Sequence, residues 1–184
     1  MERRTALEVR AAGKGSEPRR LIGYASVFNS PSEDLGGFIE IVKPGAFKRS
    51  LESNLTDPLA LVHHMPHLVL GRRSAGTLRL AEDDKGLAFE IDLPDTQTAR
   101  DLAVSVERGD IRGASFAFNV AEDGDRWEVK GDLAIRELLD VTLHEVTITA
   151  TPAYPDTEVA RRALDTVIRP RPRLALARRF MDTL

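Results

Sequence analysis

Ser115 lies in GDIRGASFAF (109–118), where a helical pattern gives way to a strand pattern. A serine there does chemistry only if a base can take its proton and a third group can orient that base. On a strand, Ser115 shares a face with Ala117 and Asn119, whereas Phe116 and Phe118 point the other way. The small neighbours leave room for a substrate backbone, but they equally suit a crowded sheet. The G-x-S-x-G elbow of hydrolases is not met, because Ala117 stands at the second glycine. That elbow also needs a strand leading into a helix, and here the order is reversed.

Three of the four histidines, His63, His64 and His67, fall in VHHMPH (62–67). Imidazoles are good zinc ligands, so a metal hydrolase is one reading, although no H-E-x-x-H or comparable spacing accompanies them. If 58–64 continues as a strand, His63 and His64 face opposite ways and only one of them can serve a given site. The fourth histidine, His144, stands beside Glu145 in DVTLHEVTIT (140–149). A carboxylate in an otherwise apolar strand must be paired or hydrogen-bonded. By simple alternation Glu145 shares the face of Val141 and Leu143, and it is a candidate to orient a histidine base. His144 is the alternative, pointing the other way, and an ordinary ion pair is the bland reading for Glu145.

The elements that must position these groups are mostly strands. LIGYASVF (21–28), FIEIV (38–42), PLALVHH (58–64) and ASFAFNV (114–120) read as strands. A loop is expected around Pro66. AGTLRLAEDDKGLAFEIDLP (75–94) reads as a hairpin with Gly86 supplying a positive φ. LAIRELLDVTLHEVTIT (133–149) is strand-like but changes apolar phase: Val141 and Leu143 suit one face, Val146 and Ile148 the other. That implies a bulge or a strand buried on both sides. Pro44 opens a short helix. Asp95 or Thr96 caps a longer one that ends at Gly109, with Ala99, Leu102, Ala103 and Val106 on one face. A further short helix is expected within 151–168. The chain reads as mainly β with two to three short helices, one domain over 1–168 and a basic, proline-punctuated tail over 169–184.

Composition narrows the function. The chain has 184 residues, 42% hydrophobic and 30% charged, and a formal charge of −3. That balance makes no case for nucleic acid or a membrane surface as partner. With no cysteine, disulfides and thiolate zinc sites are excluded. No apolar run approaches the roughly 18 residues of a membrane span, and the first twenty residues show no signal-peptide core. An intracellular protein is expected, with no cofactor and no metal.

Taken together, several blocks resemble one family. They are GYASVFN (23–29), EIVKPGAF (40–47), LVHHMPHLVLGR (61–72), GTLRLAEDDKGLAFEIDLPDT (76–96), ARDLAVSVERGDIRGASFAF (99–118) and LHEVTITATPAYPDT (143–157). In this order and spacing the sequence resembles the prohead maturation proteases of tailed phages, a serine peptidase family related in fold to the herpesvirus assemblins. The resemblance implies an assemblin-like, closed or partly open β-barrel of about 7–10 strands, in line with the mainly-β reading.

The resemblance further implies that Ser115 is the nucleophile and that His64, by its spacing to the following Leu-Gly-Arg, is the base. Glu145 is carried as third member through a Leu-x-Glu-Val-Ser/Thr pattern, with His144 as alternative because the assemblins use a second histidine. Arg72 and backbone N–H groups near Gly71 or Gly113 are candidates for binding the oxyanion or substrate. The implied role is removal of the scaffolding segment from the major capsid protein, with self-cleavage, inside the immature capsid in the host cytoplasm. A homo-oligomer is compatible with it. A non-catalytic assembly factor with the same fold is the alternative. The source could be a phage, a prophage or a gene-transfer particle.

Overall fold

The computed structural model describes residues 1–6, 8–12, 20–53, 55–131 and 133–150. The tail over 169–184, the boundary at 168 and the helix expected within 151–168 therefore lie outside the described residues. Twelve strands and two helices are formed among those described. The strands are β1 (Glu2–Ala6), β2 (Glu8–Ala12), β3 (Arg20–Val27), β4 (Phe38–Val42), β5 (Leu59–Val62), β6 (Met65–Arg72), β7 (Leu78–Glu82), β8 (Gly86–Asp92), β9 (Gly113–Val120), β10 (Asp125–Lys130), β11 (Leu133–Leu138) and β12 (Val141–Thr149). The helices are α1 (Lys48–Glu52) and α2 (Gln97–Arg108). The mainly-β, partly open architecture is as expected, with more strands than the seven to ten anticipated.

Three open sheets result, ordered β1-β9-β12-β5-β6, β2-β3-β8-β7 and β10-β11-β4. Most neighbours run antiparallel; β12 with β5 and β11 with β4 are parallel. The main core lies between the five- and four-stranded sheets. Phe116, Phe118, Leu143, Val146 and Ile148 from one side meet Leu21, Leu78, Leu87, Phe89 and Ile91 from the other. Phe47 lies edge-on to Phe116 at 5.3 Å and links α1 to this core. Each such aromatic side chain removes on the order of 150–250 Å² from water, which makes this layer the main driving force for the sheets to close on each other.

Helix α2 follows the expected pattern. Thr96, rather than Asp95, is its N-cap and accepts the Ala99 N–H, and Gly109 ends it in the left-handed region at φ 79°. Its buried face is Ala99, Leu102, Ala103 and Val106. Helix α1 begins only at Lys48, after a turn from Pro44, and its last carbonyls accept from the Arg73 guanidinium.

Three expectations are corrected. The stretch 133–149 is two strands in different sheets, parted at Leu139–Asp140, where both backbone N–H groups donate to the Gly124 carbonyl. Gly86 does not have a positive φ; a Cβ there would lie 2.0 Å from the Ser26 carbonyl oxygen, so close approach by β3 is what requires glycine. Residues around Pro66 form β6 rather than a loop. An edge strand tolerates proline because one row of its N–H groups has no ladder partner.

A second, polar interior ties β1 to the small sheet. Arg136 reaches Glu2 at 2.5 Å, Glu40 at 3.2 Å and Asp125 at 2.7 Å, and Arg4 bonds both Glu2 and Glu40. Burial pushes the Glu40 carboxyl up, an effect opposed by the two guanidinium groups. β1 pairs with β9 so that Thr5 stands opposite Ser115 in the backbone register, and the charge cluster thus anchors the strand that flanks the serine.

Candidate active site

Strand β9 presents Ser115 on the face away from the phenylalanine core, as alternation requires. Across the ladder Ser115 faces Thr147 and Ala117 faces Glu145. The register shifts between Leu143 and Glu145, leaving His144 as the extra residue of a bulge. This corrects the assignment of Glu145 to the face of Val141 and Leu143. With one residue extra, Leu143, Val146 and Ile148 all turn to the core, and Glu145, Thr147 and Thr149 turn to the side of Ser115.

His63 and His64 are not strand residues. They form the two-residue loop of the β5–β6 hairpin, closed by the pair Val62 and Met65. Their φ values are 49° and 57°. Hairpin loops with positive φ at both central residues are type I′, which Asn-Gly fits with least strain. For side-chain-bearing residues the left-handed region costs roughly 1–2 kcal/mol each. Neighbouring contacts offset this strain. The His63 N–H donates to the Ile148 carbonyl at 3.1 Å, and the His64 N–H donates to Thr147 Oγ1 at 2.9 Å. The His63 ring meets Thr149 Oγ1 at 3.1 Å.

The turn aims one imidazole inward. His64 Nδ1 bonds the Glu145 carboxylate, and His64 Nε2 lies 3.0 Å from Ser115 Oγ. A carboxylate can only accept, so Nδ1 carries the proton and the Nε2 lone pair is left for the serine hydroxyl. Ser115 is fully buried, and the side chains of His64 and Glu145 are only 11% and 10% exposed, so water screens their interaction weakly. The set can deprotonate an alcohol, hold the resulting imidazolium against a carboxylate, and return the proton to a leaving group.

Residues 5–169 match the family described as caudovirus prohead serine protease. The chain belongs to this family. The prohead protease of Enterobacteria phage HK97 is 38% identical over 104 residues, which cover 55% of this chain and 42% of that relative. The aligned part thus spans less than half of the relative's length. No solved structure matches the chain.

The other candidate residues of this family member make no side-chain bond to Ser115, His64 or Glu145 among the described residues. Arg72 ends β6, and its guanidinium is ion-paired to Asp57 at 2.7 Å. Gly113 begins β9, two residues before Ser115, opposite Thr149. His144 is half-buried on the bulge, its Nε2 without a hydrogen-bond partner among the described residues, and burial lowers its pKa. It is Glu145, not His144, that meets the His64 ring. The three histidines of VHHMPH do not converge: among the described residues no group of three or more His, Cys, Asp or Glu is arranged to hold a metal ion. Sequence reasoning missed Thr147 and Thr149. The alternation Glu145-x-Thr147-x-Thr149 was the available signal, because one polar face of β12 carries all three.

Proposed function

We propose that the chain is a serine endopeptidase of capsid maturation, with Ser115 as nucleophile, His64 as general base and Glu145 as the group that orients it. The reading is carried by one observation, the continuous path from the Glu145 carboxylate through the His64 ring to Ser115 Oγ at 3.0 Å. Ser115 Oγ attacks a peptide carbonyl carbon while its proton passes to His64 Nε2. Collapse of the tetrahedral intermediate breaks the C–N bond, and the same proton goes to the leaving amine. Water then attacks the acyl-serine, again giving up a proton to Nε2, and the serine is restored. Throughout, Glu145 holds the tautomer and stabilises the imidazolium.

Family membership and the HK97 relative's name support the choice of substrate: the scaffolding segment of the major capsid protein, together with the protease's own chain. The work would be done inside the immature capsid in the host cytoplasm. No helix among the described residues is long and apolar enough to cross a membrane. The test is to co-express wild type and Ser115→Ala with the cognate capsid protein and weigh the products by intact mass spectrometry. Loss of a capsid segment with wild type alone is expected. Equal masses in both, with particles forming, would show an assembly factor that keeps the fold without the chemistry.

A further inference from the structure

We infer that Thr147 is a positioning residue for the reaction, holding the backbone of His64 in the conformation that aims its ring between Glu145 and Ser115; the inference rests on the peptidase reading above. Thr147 is fully buried and stands directly opposite Ser115 in the β9–β12 ladder. Its hydroxyl serves a residue outside β12. Oγ1 accepts the His64 backbone N–H at 2.9 Å, across 83 residues of sequence.

That bond matters because the turn it holds is strained. His63 and His64 both adopt positive φ, which only a few per cent of non-glycine residues do even though histidine tolerates it better than most, and the loop between β5 and β6 is only those two residues long. Strain of this kind persists only where surrounding contacts over-determine it. For His64 the side-chain contacts are with Glu145 and Ser115, the groups it must serve, while the backbone is gripped by Thr147. Released from Thr147, the His64 N–H would have to find another acceptor in a site with little water, and relaxation of φ would swing the ring away from Ser115 Oγ. One threonine therefore supports the base from the same strand that supplies the carboxylate two residues earlier.

The experiment compares the full chain as wild type, Thr147→Val, Thr147→Ser and Ser115→Ala. Valine keeps the shape and removes the acceptor; serine keeps the acceptor. The probe is a fluorophosphonate, which reports the nucleophilicity of Ser115 without a known peptide sequence. The inactivation rate is separated from probe affinity, and the low-field proton resonance of His64 Nδ1 is recorded by NMR. With the ring displaced by an ångström or less, Thr147→Val should react about 10–100-fold more slowly at unchanged probe affinity. It should also lose or broaden the Nδ1 resonance. Thr147→Ser should restore the rate to within about threefold, and the resonance with it.

Wild-type reactivity in Thr147→Val with the resonance in place would overturn the inference. So would a Thr147→Ser variant as slow as the valine, since the methyl group would then be what matters. If wild type itself does not react but the resonance is lost only in Thr147→Val, Thr147 still holds the His64 ring, but the peptidase reading falls and the positioning role in the reaction falls with it. Equal labelling of wild type and Thr147→Val, with none in Ser115→Ala, leaves the peptidase and removes the threonine's role. Circular dichroism establishes folding for each variant. Should the valine variant not fold, Thr147→Ala replaces it, again removing the acceptor, and full reactivity there would refute the inference in the same way.

Discussion

Replacing Glu145 with glutamine isolates what the carboxylate does, because the amide has nearly the same size and can still bond the His64 ring. Two losses follow. If the amide NH2 turns toward His64, Nδ1 must accept, the ring proton moves to Nε2, and Ser115 loses its base. Even in the other orientation, the imidazolium formed in the transition state no longer faces a negative charge. Opposite charges about 4 Å apart, at an effective dielectric of about 20 suited to partly shielded pairs, attract by about 4 kcal/mol. The low exposure of both side chains argues against the full screening of water. At 1.36 kcal/mol per decade, about 4 kcal/mol is a fall of about three orders of magnitude in kcat. The assay is cleavage of the purified cognate capsid protein by purified enzyme, with a thermal melt confirming that the variant is folded. A Glu145→Gln enzyme within about tenfold of wild type would refute the reasoning, since neither tautomer control nor charge stabilisation could then lie with Glu145.

Two predictions concern the frame around the site. Arg136→Met removes one cation from the buried cluster and leaves Glu2 and Glu40 with Arg4, and Asp125 with the Trp127 ring N–H. Breaking such a buried network from one side costs about 3–5 kcal/mol, so the melting temperature should drop by about 6–20 °C; a drop under about 2 °C would mean the cluster is not stabilising. Asp57 is held down to about 2 from its usual 3.8, chiefly by the Arg72 hydrogen bond and then by Ser74. Because the folded value is depressed, its stabilisation is complete above pH 3.8 and is lost as the pH falls toward 2. Asp57→Asn should therefore melt below wild type at pH 6, with the gap narrowing below pH 4; a gap independent of pH would refute the assignment.

Much of the fold can be read from the sequence because its signals are local. FIEIV and ASFAFNV alternate or run apolar over strand length, and the Thr96 and Gly109 caps bracket an amphipathic stretch. What escapes the sequence is decided by distant groups. Leu139–Asp140 carries neither glycine nor proline, and the break there is made by the Gly124 carbonyl and by Arg49, which binds the Asp140 carboxylate at 2.7 Å. Gly86 looks like a turn glycine, yet its requirement comes from β3, some sixty residues earlier. Pro66 looks like a loop former, and only the position of β6 at the edge of its sheet lets the strand keep it.

The same distinction explains which part of the site was legible. Residue types alone place a serine, a histidine pair and a buried-strand carboxylate on the page, but strict alternation puts Glu145 with Leu143, on what proves to be the phenylalanine side. A carboxylate set among Phe116 and Phe118 without a partner would cost several kcal/mol. One extra residue resolves the conflict. With His144 bulged out, the two apolar phases, Val141 with Leu143 and Val146 with Ile148, become a single core face. The polar residues of β12 are then forced together on the other side, opposite Ser115. The change of hydrophobic phase in the sequence was thus the mark of the bulge, and the bulge carries the carboxylate from the core side of the sheet to the histidine.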